Sequence, residues 1–156
     1  MRKLFSVFLI LILSGFFFFL VSCSQGSCFE ETESYLKASF YSYELRKLAS
    51  PDSLSLYGLN NDSVIYYKST KVQPALIPLD ASRESCTFVM NMNGIADTIE
   101  FRYISYPHMI SKECGYTFYH QLTDSVRYYT RHAIKNISTG NKTITNLNVE
   151  NIRIYY

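Results

Sequence analysis

From Tyr35 onward the apolar side chains recur at every second position in short runs broken by turn residues, and no stretch sustains a helical period. In Asp97–Ser105, Ile99, Phe101 and Tyr103 fall on one face while Thr98, Glu100 and Arg102 fall on the other. Cys86, Phe88, Met90 and Met92 alternate in the same way with Thr87, Val89, Asn91 and Asn93, and Asn93-Gly94 joins the two runs. Residues 86–104 therefore predict a β-hairpin. Further strands are expected at Tyr35–Leu45, Ser53–Tyr57, Ser63–Tyr67, Cys114–Leu122, Lys142–Leu147 and Asn151–Tyr156. Ser50-Pro51-Asp52, Gly58–Asp62, Tyr106-Pro107 and Thr139-Gly140-Asn141 read as turns or loops. Tyr128–Ile137 fits a short helix or a strand equally. The fold class is all-β: a β-sandwich, immunoglobulin-like or a similar antiparallel arrangement.

The chain opens differently. Arg2 and Lys3 precede an apolar run from Leu4 to Val21, and Leu20-Val21-Ser22-Cys23 follows the lipobox pattern, in which a small residue stands before a cysteine that is acylated and becomes the new N-terminus. The expected organisation is a lipoprotein signal peptide at 1–22, a lipidated tether at 23–33 and a β-sandwich domain at 34–156. Several acyl chains on Cys23 meet the requirement that stable anchoring takes more than one chain. Loss of Arg2 and Lys3 lowers the basic residues from 15 to 13, equal to the 13 acidic ones, so the mature chain is formally neutral. Nucleic-acid binding then lacks its electrostatic basis.

Export implies an oxidising compartment. With Cys23 acylated, Cys28, Cys86 and Cys114 remain, enough for one internal bridge. Cys86 shares the apolar face of its strand, which favours Cys28–Cys114 and a closed loop worth ~4 kcal/mol. Cys28–Cys86 is the alternative.

Catalytic and metal motifs are sparse. His108, His120 and His132 stand at no ligand spacing, and His120 falls on an apolar face with Tyr116, Phe118 and Leu122, which predicts a hydrogen-bonded core histidine. No glycine-flanked serine, no cysteine beside a histidine and no phosphate-cradling glycine loop is present. No cofactor and no metal are expected. Glu44, Glu84, Glu100, Glu113 and Glu150 are scattered, and nothing pairs them for glycoside hydrolysis. Tyr66-Tyr67, Tyr128-Tyr129 and Tyr155-Tyr156 each put one ring on either side of a strand, suited to sugar or protein contact if exposed.

Four of the five aspartates begin the triplet aspartate, hydroxyl residue, aliphatic, at Ser53, Ser63, Thr98 and Ser125, where composition alone gives about 0.3 such triplets. The triplet resembles the O-glycosylation signature of Bacteroidetes envelope proteins. A turn aspartate leading into a strand produces the same pattern.

Cys28, Asp52–Gly58, Ile77–Asp80, Asp97–Tyr103, Ile110–Tyr116 and Asn151–Tyr155 together resemble an uncharacterised Bacteroidetes family of envelope lipoproteins, known as domain of unknown function 6452. The resemblance implies the anchor, the cysteine pair and the β-rich body, and brings no catalytic residue. Lipoproteins displayed on the outside of such cells are acidic after the anchor cysteine, whereas Ser24-Gln25-Gly26-Ser27 is not. The expected location is the outer membrane, facing the periplasm. The function expected is non-catalytic binding or scaffolding of another envelope component, an outer-membrane β-barrel among the partners considered. A glycan-binding module and a small periplasmic hydrolase are the alternatives.

Overall fold

The computed structural model describes residues 27–59 and 61–156. Cys23 and residues 1–22, where a lipid anchor and a signal peptide are expected, lie outside them. Among the described residues there are eleven strands and no helix. Sheet one has the order β4 (Ala75–Ile77), β1 (Leu36–Tyr41), β11 (Ile152–Tyr155), β9 (Asn136–Thr139). Sheet two runs β10 (Thr143–Ile144), β7 (Gly115–Leu122), β6 (Ile95–Ser111), β5 (Ser85–Met92), β2 (Leu54–Gly58), β3 (Asn61–Ser69), with β8 (Tyr128–Tyr129) also on β6. All pairs are antiparallel except β1 with β11, which run in parallel and bring the beginning and end of the body together.

The predicted alternation sets the core. Phe88, Met90 and Met92 from β5 and Ile99, Phe101 and Tyr103 from β6 are buried, as are Leu36, Ala38 and Phe40 of β1 and Ile152 and Ile154 of β11. The 86–104 hairpin forms in the expected register, with Cys86 opposite Phe101 and Met92 opposite Ile95. Asn93 and Gly94 turn it with φ of 52° and 88°, a left-handed pair that asparagine and glycine adopt most cheaply.

Two polar side chains, Asn151 buried and Gln73 half-buried, tie neighbouring strands together. Asn151 accepts the Lys37 amide at 2.9 Å and donates to the carbonyls of Asn141 and Thr143, both at 3.0 Å, so one side chain ties β1 to the approach and start of β10. Gln73 pairs both ends of its amide with the Phe40 backbone at 2.9 and 3.1 Å and continues the β4 edge where the chain itself turns away.

Tyr106-Pro107 is no turn: β6 passes straight through it. The Phe118 carbonyl opposite Pro107 accepts the Ser34 hydroxyl, on the side away from β6. The pair is then a non-hydrogen-bonded one, and the missing proline N–H removes no ladder bond. Tyr128–Ile137 is neither one helix nor one strand but β8, a bend and the start of β9. The Lys142–Leu147 strand shrinks to Thr143–Ile144.

Candidate functional site

A cavity of about 380 Å³ opens between edge strand β3 and the segment that follows β4, and is floored by β5. Leu59, Ile65, Leu79 and Phe88 supply apolar walls, and Ser63, Asp80, Arg83 and Thr87 supply polar groups. Phe88 is buried at its floor while Leu59, 52 % exposed, stands at its lip. The volume suits a small ligand or a few side chains of a larger one. The hydroxyl of Tyr66 accepts the Leu76 amide at 3.0 Å, a cross-tie between the two edges.

One wall is held by Tyr103. Its hydroxyl donates to the Asp80 carbonyl at 2.9 Å, accepts the Asp80 amide at 3.1 Å and contacts Cys86 Sγ at 2.9 Å. Burial, followed by the Cys86 thiol, pushes the phenol far above its ordinary range, so it stays protonated and cannot take the thiol's proton. The Asp80 carboxylate receives the Ser82 hydroxyl at 2.6 Å, the Ser82 amide at 2.9 Å and Arg83 at 3.1 Å, and is held below the usual carboxylate range, the Ser82 hydroxyl first among the causes. Arg83 remains largely exposed and presents its guanidinium at the rim. Apolar walls beside a charged rim describe a site that can hold a group.

Ser105 Oγ and His120 Nδ1, 2.9 Å apart, are the nearest thing to a nucleophile and base. Among the described residues no carboxylate bonds the imidazole, and burial lowers its basicity. His120 is buried, packed edge-on against Tyr103, the core role expected of it. Tyr116 and Phe118, placed with it on the same face, are instead 73 % and 48 % exposed. His108 stacks on Tyr119 and His132 contacts Asp97. No metal-binding cluster of His, Cys, Asp or Glu occurs among the described residues.

Cys28 and Cys114 form the disulfide, with Cα atoms 4.8 Å apart, and Cys86 is a free, half-buried thiol. The bridge clips residues 28–34 alongside β7, where Thr117 Oγ1 donates to the Thr32 carbonyl at 2.7 Å and Asn146 Nδ2 to the Glu31 carbonyl at 2.9 Å.

The four hydroxyls in the aspartate triplets have different surroundings. Ser63 in β3 and Ser125 in the β7–β8 loop are exposed. Ser53 is half-buried, its amide on Asn93 Oδ1. Thr98 is half-buried inside β6, between β5 and Thr130. Asp97 itself is buried and receives the backbone amides of His132, Ala133 and Ile134 and the Thr130 hydroxyl.

The cavity escaped sequence reasoning because its walls come from 58–65 and 78–88, segments whose proximity depends on β2 pairing with β5. Ile77-Pro78-Leu79-Asp80, singled out as a motif, was the one available signal. The tyrosine pairs point elsewhere, and no tyrosine lines the cavity among the described residues.

A family model described as Family of unknown function (DUF6452) matches residues 53–156. It starts after β1 and Cys28, although β1 sits between β4 and β11 in sheet one. Neither the curated proteins nor the solved structures contain a match.

Proposed function

The chain belongs to the family of unknown function DUF6452, and from that premise we propose that it is a lipid-tethered, non-catalytic binding protein of a bacterial envelope. Its ligand is an extended segment of another envelope protein, held at the open side of the sandwich. The observation that carries the reading is the cavity walled by Leu59, Ile65, Leu79 and Phe88 beside edge strand β3, which among the described residues pairs with β2 alone. An unpaired strand edge offers main-chain donors and acceptors for an added strand, and an adjacent apolar cavity takes its side chains. Acylation of Cys23 holds this surface at the outer membrane, facing the periplasm.

Photo-crosslinking tests it. A benzophenone side chain in place of Ser63, at the cavity, should form a discrete adduct in the native envelope. The same group in place of Glu44, exposed in the turn after β1 and away from the cavity lining, should not. Ile65→Glu should abolish the Ser63 adduct while the circular dichroism stays that of a folded sheet. Equal adducts at both positions, or an Ile65→Glu protein that still crosslinks, would contradict the reading. Glycan binding has less support, since among the described residues no tyrosine lines the cavity and the Phe88 ring at its floor is buried.

A further inference from the structure

The β6–β7 hairpin carries its inner face beyond the core. Tyr103 opposite Leu122 is buried, and along the same face Pro107 opposite Phe118 and Met109 opposite Tyr116 stand in solvent. Met109, Tyr116 and Phe118 are 47, 73 and 48 % exposed. Phe29, beside the disulfide that closes this tip, is 93 % exposed. A polar hairpin end would cost nothing to solvate, so apolar side chains gathered there indicate a covering phase.

We propose that the hairpin tip is a foot that rests in the interfacial layer of the lipid bilayer, with Phe29, Met109, Tyr116 and Phe118 as its contacts. Chain length selects the bilayer as the occupant. Cys28 stands five residues after Cys23 and is bonded to Cys114 at the tip. Five residues span at most ~17 Å, so a lipid on Cys23 holds the tip at the membrane surface whatever path the tether takes. The inference thus rests on acylation of Cys23. Aromatic rings with one polar edge, like that of Tyr116, favour the headgroup level. A second, shallow contact restricts the tumbling that a tether alone permits, and so fixes which side of the body faces away from the bilayer.

The charges around the tip define the lipid. Lys112 is exposed in the turn, but Glu30, Glu31 and Glu33 are exposed on the tether clipped beside it. This acidic surplus opposes anionic headgroups, so the contact is apolar, salt-insensitive and suited to zwitterionic lipid.

The chain has no tryptophan, which allows a clean probe. Phe118→Trp places an indole in the foot, and Tyr67→Trp, at a site 71 % exposed on β3, serves as control. The processed, acylated proteins are bound to phosphatidylcholine–phosphatidylethanolamine vesicles with and without lipid carrying a quencher high on the acyl chain. The F118W emission should shift to the blue and be quenched several-fold more than that of Y67W, unchanged by added salt. Flotation with the vesicles and equal, water-like emission from both indoles would overturn the foot and leave the tether standing. A protein that fails to float would overturn the tether and the foot with it. A blue shift of F118W that grows with protein concentration in the absence of vesicles would assign the tip to a second copy of the chain, and would overturn the bilayer contact.

Discussion

Asp97 Oδ2 accepts the backbone amide of Ile134 at 2.8 Å, a bond that joins β6 to a segment 37 residues further along. The same carboxylate takes the Ala133 amide on that oxygen, and the His132 amide and Thr130 hydroxyl on the other. Burial by itself would raise its pKa, but these donors outweigh it and hold the group ionised below the usual carboxylate range.

Asp97→Asn should therefore cost about 2–4 kcal/mol of stability in urea unfolding, since the amide can accept on one side only and turns donors against donors on the other. The pH dependence follows from the sign of the shift. A depressed carboxylate contributes stability that is complete above its unfolded pKa of about 4 and is lost as pH falls toward the folded value. Unfolding free energy of the native protein should fall below pH 4, and that of the Asp97→Asn protein should fall less steeply. Parallel curves would show that Asp97 carries no such linkage.

The bridge between Cys28 and Cys114 closes a loop across a separation of 86 residues. Serine at both positions should destabilise the body by about 2–4 kcal/mol, whereas Cys86→Ser, which keeps a hydroxyl near Tyr103, should cost less than about 1 kcal/mol. Denaturant titrations of the two variants decide the order, and near-equal losses would be inconsistent with it.

Asn151→Ala should rank with the most damaging single substitutions in sheet one. It strands the buried Lys37 amide and the carbonyls of Asn141 and Thr143 together, at about 2–4 kcal/mol. Amide hydrogen exchange at Lys37 should accelerate more than that at Met90 in the other sheet.

If the aspartate triplets are glycosylated, occupancy should be confined to the exposed hydroxyls of Ser63 and Ser125. Thr98 should be bare, because its strand is paired on β5 and bonded to Thr130. Glycopeptide mapping of protein from its native envelope checks this, and a glycan on Thr98 would require that β6 be modified before it folds.

Alternation made β2, β6 and β11 legible, because each buries one face only and so writes its period into the chain, and β5 keeps the same period although Val89 on its other face is buried as well. β4 left no such trace: three residues, Ala75–Ile77, between Pro74 and Pro78, too few for a period and flanked by residues that signal a loop. β6 misled in the opposite sense. Pro107 looked like a break, and only the pairing phase with Phe118 explains why a strand can hold it. Tyr116 and Phe118 kept the period of a core strand beyond the point where the core ends, so pattern alone placed them inside. For the disulfide, the apolar face of Cys86 favours Cys28–Cys114 and leaves Cys28–Cys86 open, and the structure joins Cys28 to Cys114. The cavity leaves only the Ile77–Asp80 segment as a trace in the chain, since it exists only after β2 has found β5 and Tyr103 has fixed Asp80.

Mass spectrometry of the polypeptide purified from its native membranes bears most directly on the whole account. A chain that starts at Cys23 with fatty acids attached, and in which Cys28 and Cys114 are joined, is the result expected. A chain that retains residues 1–22, carries no lipid and has reduced cysteines would contradict the tether, and with it the compartment in which the proposed partner and the bilayer foot have meaning.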